Sequence, residues 1–203
     1  MDFPEPIPNT FIKAGHWRNR YLLMRHGHSQ ANQAGIIISS PEQGLNGYGL
    51  SPNGEEQLTE VVSNWAWPVP TRIVHSDFLR TTQTAERITT QFGLPLIAEQ
   101  GLRERFFGAF DSQPDTRYAE VWAQDAVSAE HCWQGVEAVS QVAARMYAVI
   151  DGWEARTEGE TILLVSHGDP LQILLTALLR RPLTQHRDQV ALAPASITPW
   201  PAS

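Results

Sequence analysis

Two short apolar runs of this chain each lead to a histidine that is followed by a glycine. Residues 21–24 (YLLM) run into Arg25 and His26, and residues 161–165 (TILLV) run, after a serine, into His167. A short apolar run predicts a buried β-strand, and a glycine after it predicts a turn. We therefore expect two strands that deliver a cation and two imidazoles to loops at their carboxyl ends.

A further strand is predicted to bring a second arginine to the same place. Residues 72–75 (RIVH) form another short run, and Arg80 follows it at the start of a predicted helix. In open α/β sheets, ligands bind in the crevice at the carboxyl ends of the strands. We expect these strand ends to converge, so that Arg80 joins Arg25, His26 and His167.

The side chains at these strand ends suit phosphoryl transfer. Guanidinium groups donate paired hydrogen bonds to phosphate oxygens, and imidazoles attack phosphorus or donate as well. Because nearby cations disfavour the imidazolium form, Arg25 and Arg80 should keep one histidine neutral and nucleophilic. Attack in line would give a phosphohistidine. The departing alkoxide then needs a proton, and Glu104, in an irregular loop after the predicted third strand, is the candidate acid.

Several short segments, taken in order along the chain, carry a family resemblance. They are residues 22–32 (LLMRHGHSQAN), 49–57 (GLSPNGEEQ), 76–81 (SDFLRT), 102–108 (LRERFFG) and 165–168 (VSHG). With these segments the chain resembles the histidine phosphatase superfamily, which includes the phosphoglycerate mutases. The likeness covers roughly residues 20–200, so it does not depend on one short motif.

The resemblance implies a role for each residue at a matching position. It implies His26 as the nucleophile and Glu104 as the proton donor. The other residues that it assigns to catalysis or to phosphate and substrate binding are Arg25, Ser29, Asn32, Arg80, His167 and Gly168. It implies neither a metal nor a cofactor, and the partner that it implies is a small-molecule phosphate ester.

Two positions depart from the family pattern. His28 stands where a glutamate or glutamine is common, and Ser112 stands where a glycine often follows the acid loop. We expect both to affect the shape of the substrate site more than phosphoryl transfer. His26 and His28 as metal ligands are a disfavoured alternative, because no neighbouring cysteine or carboxylate completes a coordination shell.

Some of the assigned residues have a second interpretation. The pKa of Glu104 should fall beside Arg103 and Arg105, whereas burial and a bound phosphate dianion would raise it, so we expect its protonation mainly in the substrate complex. Ser29 is equally well explained as a helix cap, whereas a ligand role is favoured for Asn32. Leaving-group contacts are open to Arg103, Arg105, Arg117 and Tyr118, which are equally expected to be solvated.

Composition limits the class of protein. The 203 residues are 42% hydrophobic and 18% charged, which is typical of a globular chain, and no stretch approaches the length of apolar residues that spans a bilayer. A net charge of −7 argues against nucleic acid or an anionic membrane as a partner. The amino-terminal residues lack the apolar segment of a secretory signal, so we expect a cytoplasmic protein. Its oligomeric state is left open by the sequence.

Alternating strand and helix patterns predict an α/β fold, a three-layer α/β/α sandwich with a mainly parallel central sheet and a small helical or loop cap. We expect an irregular lead-in over residues 1–19 and a single catalytic domain over residues 20–203. The predicted strands are 21–24, 73–75, 96–98 and 161–165, with weak strands at 190–192 and 196–198. The predicted helices begin at 52 and span 79–92, 118–128, 136–155 and 171–179.

The remaining segments are predicted to be irregular. Residues 36–49 are expected to form a loop, and residues 101–116 a functional loop or partial lid. The lone cysteine, Cys132, cannot form an internal disulfide and is expected to be a small, partly buried side chain.

The function favoured by these residues is hydrolysis of a phosphomonoester through a phosphohistidine on His26, with a small phosphorylated metabolite as substrate. Phosphoryl transfer of the phosphoglycerate mutase type is the alternative within the same family. A catalytically silent domain that binds phosphate or a partner is the alternative of another class. It predicts a missing core residue, and none of the expected residues is missing.

Overall fold

A computed structural model describes residues 16–202 of the chain. Within this range one sheet is formed by β1 (Arg20–Arg25), β2 (Arg72–His75), β3 (Leu96–Ala98), β4 (Thr161–Ser166) and β5 (Ile197–Trp200). Its order is β3-β2-β4-β1-β5. All neighbouring strands are parallel except β5, which runs antiparallel to β1. Residues 1–15 of the predicted lead-in lie outside the described residues.

Helices cover both faces of this sheet. The helices are α1 (Gln30–Ala34), α2 (Pro41–Gly44), α3 (Pro52–Ser63), α4 (Leu79–Phe92), α5 (Tyr118–Asp125), α6 (Val139–Arg156) and α7 (Gly168–Leu178), of which α3 and α4 pack on one face and α6 and α7 on the other. Side chains of a strand alternate between the faces, so Tyr21 and Leu23 pack with α6 and α7, while Leu22 and Met24 pack with α3 and α4. The predicted three-layer α/β/α sandwich is confirmed.

The strand order explains why the predicted strand ends converge. β4 lies between β1 and β2, and all three run parallel. Their carboxyl ends therefore meet at one edge of the sheet, with His26 and His167 immediately after β1 and β4. The backbone N–H of His26 donates to Ser166 O at 3.0 Å, which holds these two strand ends together beyond the last paired residues.

Local signals define the helices next to the site. The Ser51 hydroxyl accepts from the Gly54 N–H and Pro52 occupies the first turn, which is why α3 begins there. The helix α4 ends at Gly93, which has φ of 67° and closes the helix in the left-handed conformation that favours glycine. Both boundaries agree with the predictions.

A small cap with its own core lies over the carboxyl ends of the strands. Ile37, Phe107, Phe110, Val121 and Val136 are buried together in it. The predicted irregular segment 101–116 contributes to the cap as a series of short 3-10 turns, and pairs with the segment after α1 through the Ser112 N–H, which donates to Ile37 O at 2.7 Å. Ser112 has φ of 66°, so the position where the family often has glycine does adopt the left-handed conformation.

Several sequence predictions of local structure differ from the structure. Residues 36–49 include the short helix α2, and α5 ends at Asp125 instead of continuing to 128. Residues 190–192 are not a strand, because this stretch crosses the strand ends, where the Arg25 guanidinium takes the Leu192 carbonyl as acceptor. Cys132 is exposed instead of partly buried, because it lies in the irregular surface segment before α6.

None of the helices within residues 16–202 is both long enough and apolar enough to cross a membrane.

Candidate active site

The two histidines that follow β1 and β4 face each other. The ring centroids of His26 and His167 are 5.3 Å apart, and the side chains are 3% and 0% exposed. Arg80, in the first turn of α4, is buried beside them. Three separate strand–helix junctions thus bring their side chains to one point, as the sequence predicted.

The position of the proton on His26 follows from its hydrogen bond. Its Nδ1 lies 2.7 Å from Gly27 O. A carbonyl only accepts, so Nδ1 carries the hydrogen and Nε2 of the neutral ring keeps a free lone pair. Burial lowers the pKa of His26 well below 6.5, and the charges of Arg80 and Arg25 lower it further. The ring is therefore neutral at physiological pH and nucleophilic at Nε2.

The two arginines are each anchored by one nitrogen and unpartnered at another. Arg25 Nη1 donates to Leu192 O at 2.6 Å, and Arg80 Nη2 donates to Ile38 O at 2.9 Å. Arg25 Nε and Arg80 Nη1 are buried and have no hydrogen-bond partner among the described residues, and the same holds for His167 Nδ1. Buried donors are almost always satisfied, so three together indicate a ligand site.

Gly168 permits the close approach of Arg25 to the start of α7. A Cβ atom at this position would lie 3.2 Å from Arg25 Nε and 3.3 Å from Arg25 Cζ. The absence of a side chain therefore lets the guanidinium sit against the first turn of the helix.

Glu104 lies next to these donors. Its side chain is 8% exposed, and its Oε2 is 3.4 Å from Arg80 Nη2 and 3.7 Å from His167 Nδ1. Its Oε1 accepts from the Arg105 N–H at 2.9 Å. Burial raises the pKa of Glu104 to about 7, although Arg80 opposes this shift.

Of the two opposing effects that the sequence predicts for the pKa of Glu104, burial outweighs the neighbouring cations. The guanidinium of Arg103 binds Asp77 through two hydrogen bonds of 2.8 and 2.7 Å. That of Arg105 binds Asp125, again through two hydrogen bonds, of 2.7 and 2.8 Å. Both cations are thus paired with other carboxylates, so the burial of Glu104 outweighs the cations around it and its protonated form is favoured.

Arg105 belongs to a second buried cluster that adjoins the site, which we call the buried ion network. It consists of Arg105, Asp125, Asp169, His131 and His186. Asp125 accepts from both histidines, at 2.6 and 2.9 Å, as well as from Arg105. Arg105 also donates to Asp169 at 3.1 Å. The network ties the cap, the start of α7 and the segment after it to one another.

The cap interpretation of Ser29 is supported by the geometry. The Ser29 hydroxyl accepts from the Asn32 N–H at 3.1 Å, and the Asn32 carbonyl oxygen accepts from the Ser29 N–H at 3.0 Å, which is a capping box at the start of α1. Both residues also line the site cavity. His28 does not line it, contrary to expectation, because its Nδ1 pairs with the Ser51 hydroxyl at 2.6 Å.

A cavity of about 130 Å³ opens at the carboxyl end of the sheet. Of the predicted site residues, those that line it are Arg25, His26, Ser29, Asn32, Arg80, Glu104 and Gly168. His167 is fully buried beside them, with its ring centre 5.3 Å from that of His26 and its Nδ1 3.7 Å from Glu104 Oε2. The volume suits a phosphate group with a small organic substituent.

The sequence predicted only some of the residues that line the leaving-group side of the cavity. Tyr118 lines it, whereas Arg103, Arg105 and Arg117, the other predicted leaving-group contacts, do not. The residues that sequence reasoning missed include Trp122, Asp169, Gln172, Arg187 and Leu192. Trp122 follows Tyr118 by one helical turn of α5, so the two side chains share a face of the helix, and this spacing could have predicted Trp122 beside Tyr118. Nothing in the local sequence marks Arg187, whose guanidinium stacks 3.7 Å from the Trp122 ring centre.

Comparison with known proteins shows the family to which the chain is related. The model of the histidine phosphatase superfamily (branch 1) matches residues 21–200. A curated relative, the probable phosphoglycerate mutase GpmB of Yersinia pestis (strain Pestoides F), is 31% identical over 173 residues, which cover 81% of this chain and 77% of that protein.

Solved structures share the fold. The native structure of a mycobacterial glucosyl-3-phosphoglycerate phosphatase is 25% identical, with a TM-score of 0.73 and coverage of 89% of this chain and 88% of the other. The phosphoserine phosphatase of Entamoeba histolytica, solved in complex with 3-phosphoglyceric acid, is 22% identical, with a TM-score of 0.72 and 89% coverage of both chains. At the lower identity the likeness shows the fold alone.

Proposed function

The chain belongs to the histidine phosphatase superfamily, and we propose that it is a phosphomonoester hydrolase that acts through a phosphohistidine on His26. The substrate is a small phosphorylated metabolite, in keeping with the size of the cavity. Residues 20–203 act as a single catalytic domain. Strands from both ends of this range pair in one sheet, since β1 lies beside β5.

One observation carries the proposal. Arg25 and Arg80 line one cavity with His26 and His167 lies beside His26, and Arg25 Nε, Arg80 Nη1 and His167 Nδ1 are buried nitrogens without protein partners within the described residues. A phosphate dianion supplies three peripheral oxygens to such donors and leaves phosphorus open to attack by the imidazole. Two guanidiniums supply the charge that balances the dianion.

The reaction then takes two steps. In the first, the lone pair of His26 Nε2 forms a bond to phosphorus while the bond from phosphorus to the leaving-group oxygen breaks. Glu104, protonated because its pKa is about 7, transfers its proton to that oxygen. In the second, water attacks phosphorus, the bond to Nε2 breaks, and the Glu104 carboxylate accepts the proton of the water. Free phosphate leaves and the starting protonation state is restored.

Hydrolysis is favoured over phosphoryl exchange by the modest size of the cap. Between Glu104 and His167 the chain forms α5, of 8 residues, and α6, of 18 residues, and one side of α6 packs in the core. This leaves little chain to seal a pocket against water, as a mutase must do to preserve its intermediate. The name of the curated relative nevertheless makes a phosphoglycerate mutase the second candidate.

A panel of phosphate esters tests the proposal. Release of inorganic phosphate and interconversion of 2- and 3-phosphoglycerate are measured on the same samples, with phosphoserine, sugar phosphates and an aryl phosphate as further substrates. We expect phosphate release from at least one ester to exceed any interconversion. Fast interconversion with slow release would identify a mutase. Phosphate binding without release from any ester would indicate a silent binding domain.

A matched variant separates the enzyme from a contaminant in this assay. His26→Ala removes the nucleophile and leaves Arg25, Arg80 and His167 to bind phosphate. We expect this variant to bind phosphate and to release none from an ester, and release at the wild-type rate would contradict the role of His26 as the nucleophile.

A further inference from the structure

Ser76 is completely buried at the end of β2 and lies against the second histidine of the site. Its hydroxyl oxygen is 2.9 Å from His167 Nε2, and both side chains are 0% exposed. This contact joins the carboxyl ends of β2 and β4. It is the only hydrogen bond that His167 makes through its ring within the described part of the chain.

The direction of this hydrogen bond follows from what the Ser76 hydroxyl can reach. Its oxygen also accepts weakly from the Phe78 N–H, at 3.4 Å. For its hydrogen, His167 Nε2 is the one acceptor among residues 16–202. If Nε2 carried a proton instead, the hydroxyl hydrogen would be buried without an acceptor, at a cost of about 1–3 kcal/mol.

The surroundings of the other ring nitrogen, Nδ1, favour the same tautomer of His167. His167 Nδ1 is buried and unpartnered, and Glu104 Oε2 lies 3.7 Å from it. A bare lone pair on Nδ1 would repel a phosphate oxygen, whereas a hydrogen on Nδ1 would donate to it.

We infer that Ser76 is a positioning residue, which donates to His167 Nε2 and so fixes the tautomer in which the Nδ1–H donates to the phosphoryl group. The inference rests on the proposed function for the identity of the acceptor. It treats His167 as a neutral donor, in contrast to His26, where the hydrogen on Nδ1 leaves Nε2 free to attack. The pKa of His167 lies well below 6.5 because of burial and the charge of Arg80, in agreement with a neutral ring.

The tautomer can be measured in the unmodified protein. A long-range ¹⁵N–¹H correlation spectrum of the ¹⁵N-histidine-labelled protein at neutral pH distinguishes protonated from bare ring nitrogens, and His167→Gln identifies the signals by their loss. We expect a protonated Nδ1 and a bare Nε2, with the Nδ1 signal shifting when inorganic phosphate is added. A protonated Nε2 in the free protein would overturn the inference.

Variants test whether Ser76 causes this arrangement. Ser76→Ala should populate the other tautomer and lower kcat/KM roughly 10- to 100-fold, the loss expected for one hydrogen bond to a charged group. Ser76→Thr restores the hydroxyl and should recover the Nδ1–H signal. The control is Ser166→Ala, at the end of the adjacent strand. Its hydroxyl is also buried but donates to Leu102 O at 2.7 Å, so its loss should not change the tautomer.

The outcomes keep this inference separate from the proposed function. If Ser76→Ala retained the Nδ1–H tautomer and full phosphate affinity, Ser76 would have no positioning role. If the wild-type protein had the expected tautomer and phosphate shift but hydrolysed no ester, the positioning role would stand and the proposed hydrolysis would fail.

Discussion

Two buried clusters of arginine, histidine and carboxylate side chains lie next to each other in this molecule. They differ in whether their buried polar atoms have hydrogen-bond partners within the protein. In the candidate site, Arg25, Arg80 and His167 each have a buried nitrogen without a protein partner. In the buried ion network the charged groups bind one another, and His186 Nδ1 is its one unpartnered atom within the described residues. Residue types alone therefore do not distinguish a reactive cluster from a supporting one.

Residues that are one or two positions apart in the sequence belong to different clusters. Glu104 faces the site and Arg105 the network, and His167 faces the site while Asp169 joins the network. One cluster thus holds the other in place through the backbone. We expect substitutions in the site to remove activity at little cost in stability, and substitutions in the network to do the reverse.

The largest effect is expected from His26→Ala. Removal of the nucleophile should lower kcat by about 10³-fold or more, because no other side chain of the site has a free lone pair in the same position. The free energy of unfolding should change little, since the site is not needed to hold the sheet together. Turnover and urea unfolding measured on the same preparation check both parts. Turnover at the wild-type rate in this variant would show that the cluster with unpartnered nitrogens is not the catalytic one.

Arg105→Met should be the most destabilising of these changes. It leaves Asp125 buried without a guanidinium partner and leaves Asp169 with Arg187 as its guanidinium partner, and breaking a buried pair in this way costs about 3–5 kcal/mol. Urea unfolding measures the loss. Arg87→Met is the control, because the pair of Arg87 with Glu55 is 36% and 47% exposed and its loss should cost below about 1 kcal/mol. Equal costs for the two variants would contradict a supporting role for the network.

Glu104→Gln should act selectively on esters with poor leaving groups. An alkoxide needs the proton of Glu104, so kcat for an alkyl phosphate should fall on the order of 10²-fold. An aryl phosphate releases a stable phenolate, so the phosphorylation of His26 by this ester should proceed at nearly the wild-type rate. Pre-steady-state phosphorylation rates with both esters make the comparison. An unchanged rate for the alkyl ester would show that Glu104 is not the acid.

The pH dependence should distinguish the same two substrates. Glu104 donates only when it is protonated, so with a pKa of about 7 the phosphorylation rate for an alkyl phosphate should fall as pH rises above 7. It should approach a tenfold loss per pH unit. His26 must be neutral, and because its pKa is well below 6.5 the acidic limb should lie below that value. The alkaline fall should be absent with an aryl phosphate and in Glu104→Gln.

The sequence was sufficient to predict the site residues at the strand ends, because each strand end has a recognisable local pattern. Apolar runs that stop at Arg25-His26 and at His167, together with the parallel strand order that βα alternation predicts, were enough to bring these side chains together. Ser51 and Gly93 likewise defined helix ends by local chemistry.

The remaining features depend on contacts between distant segments. Whether Arg105 lowers the pKa of Glu104 depends on Asp125, which lies 20 residues away. The wall formed by Arg187 and Leu192 comes from a stretch whose composition favours a weak strand, and its path is set by Arg25. The exposure of Cys132 reflects the irregular segment before α6, which has no periodic pattern. Such features are tertiary, and local sequence patterns do not encode them.

The central claim is that His26 and not His167 carries the phosphoryl group. Rapid acid-free quenching during turnover of a ³²P-labelled ester, followed by peptide mapping under alkaline conditions, locates the label. We predict an acid-labile phosphohistidine at His26, absent from His26→Ala and present in Glu104→Gln with an aryl phosphate. Label on His167, or an acid-stable label elsewhere, would contradict the assignment of the two histidines.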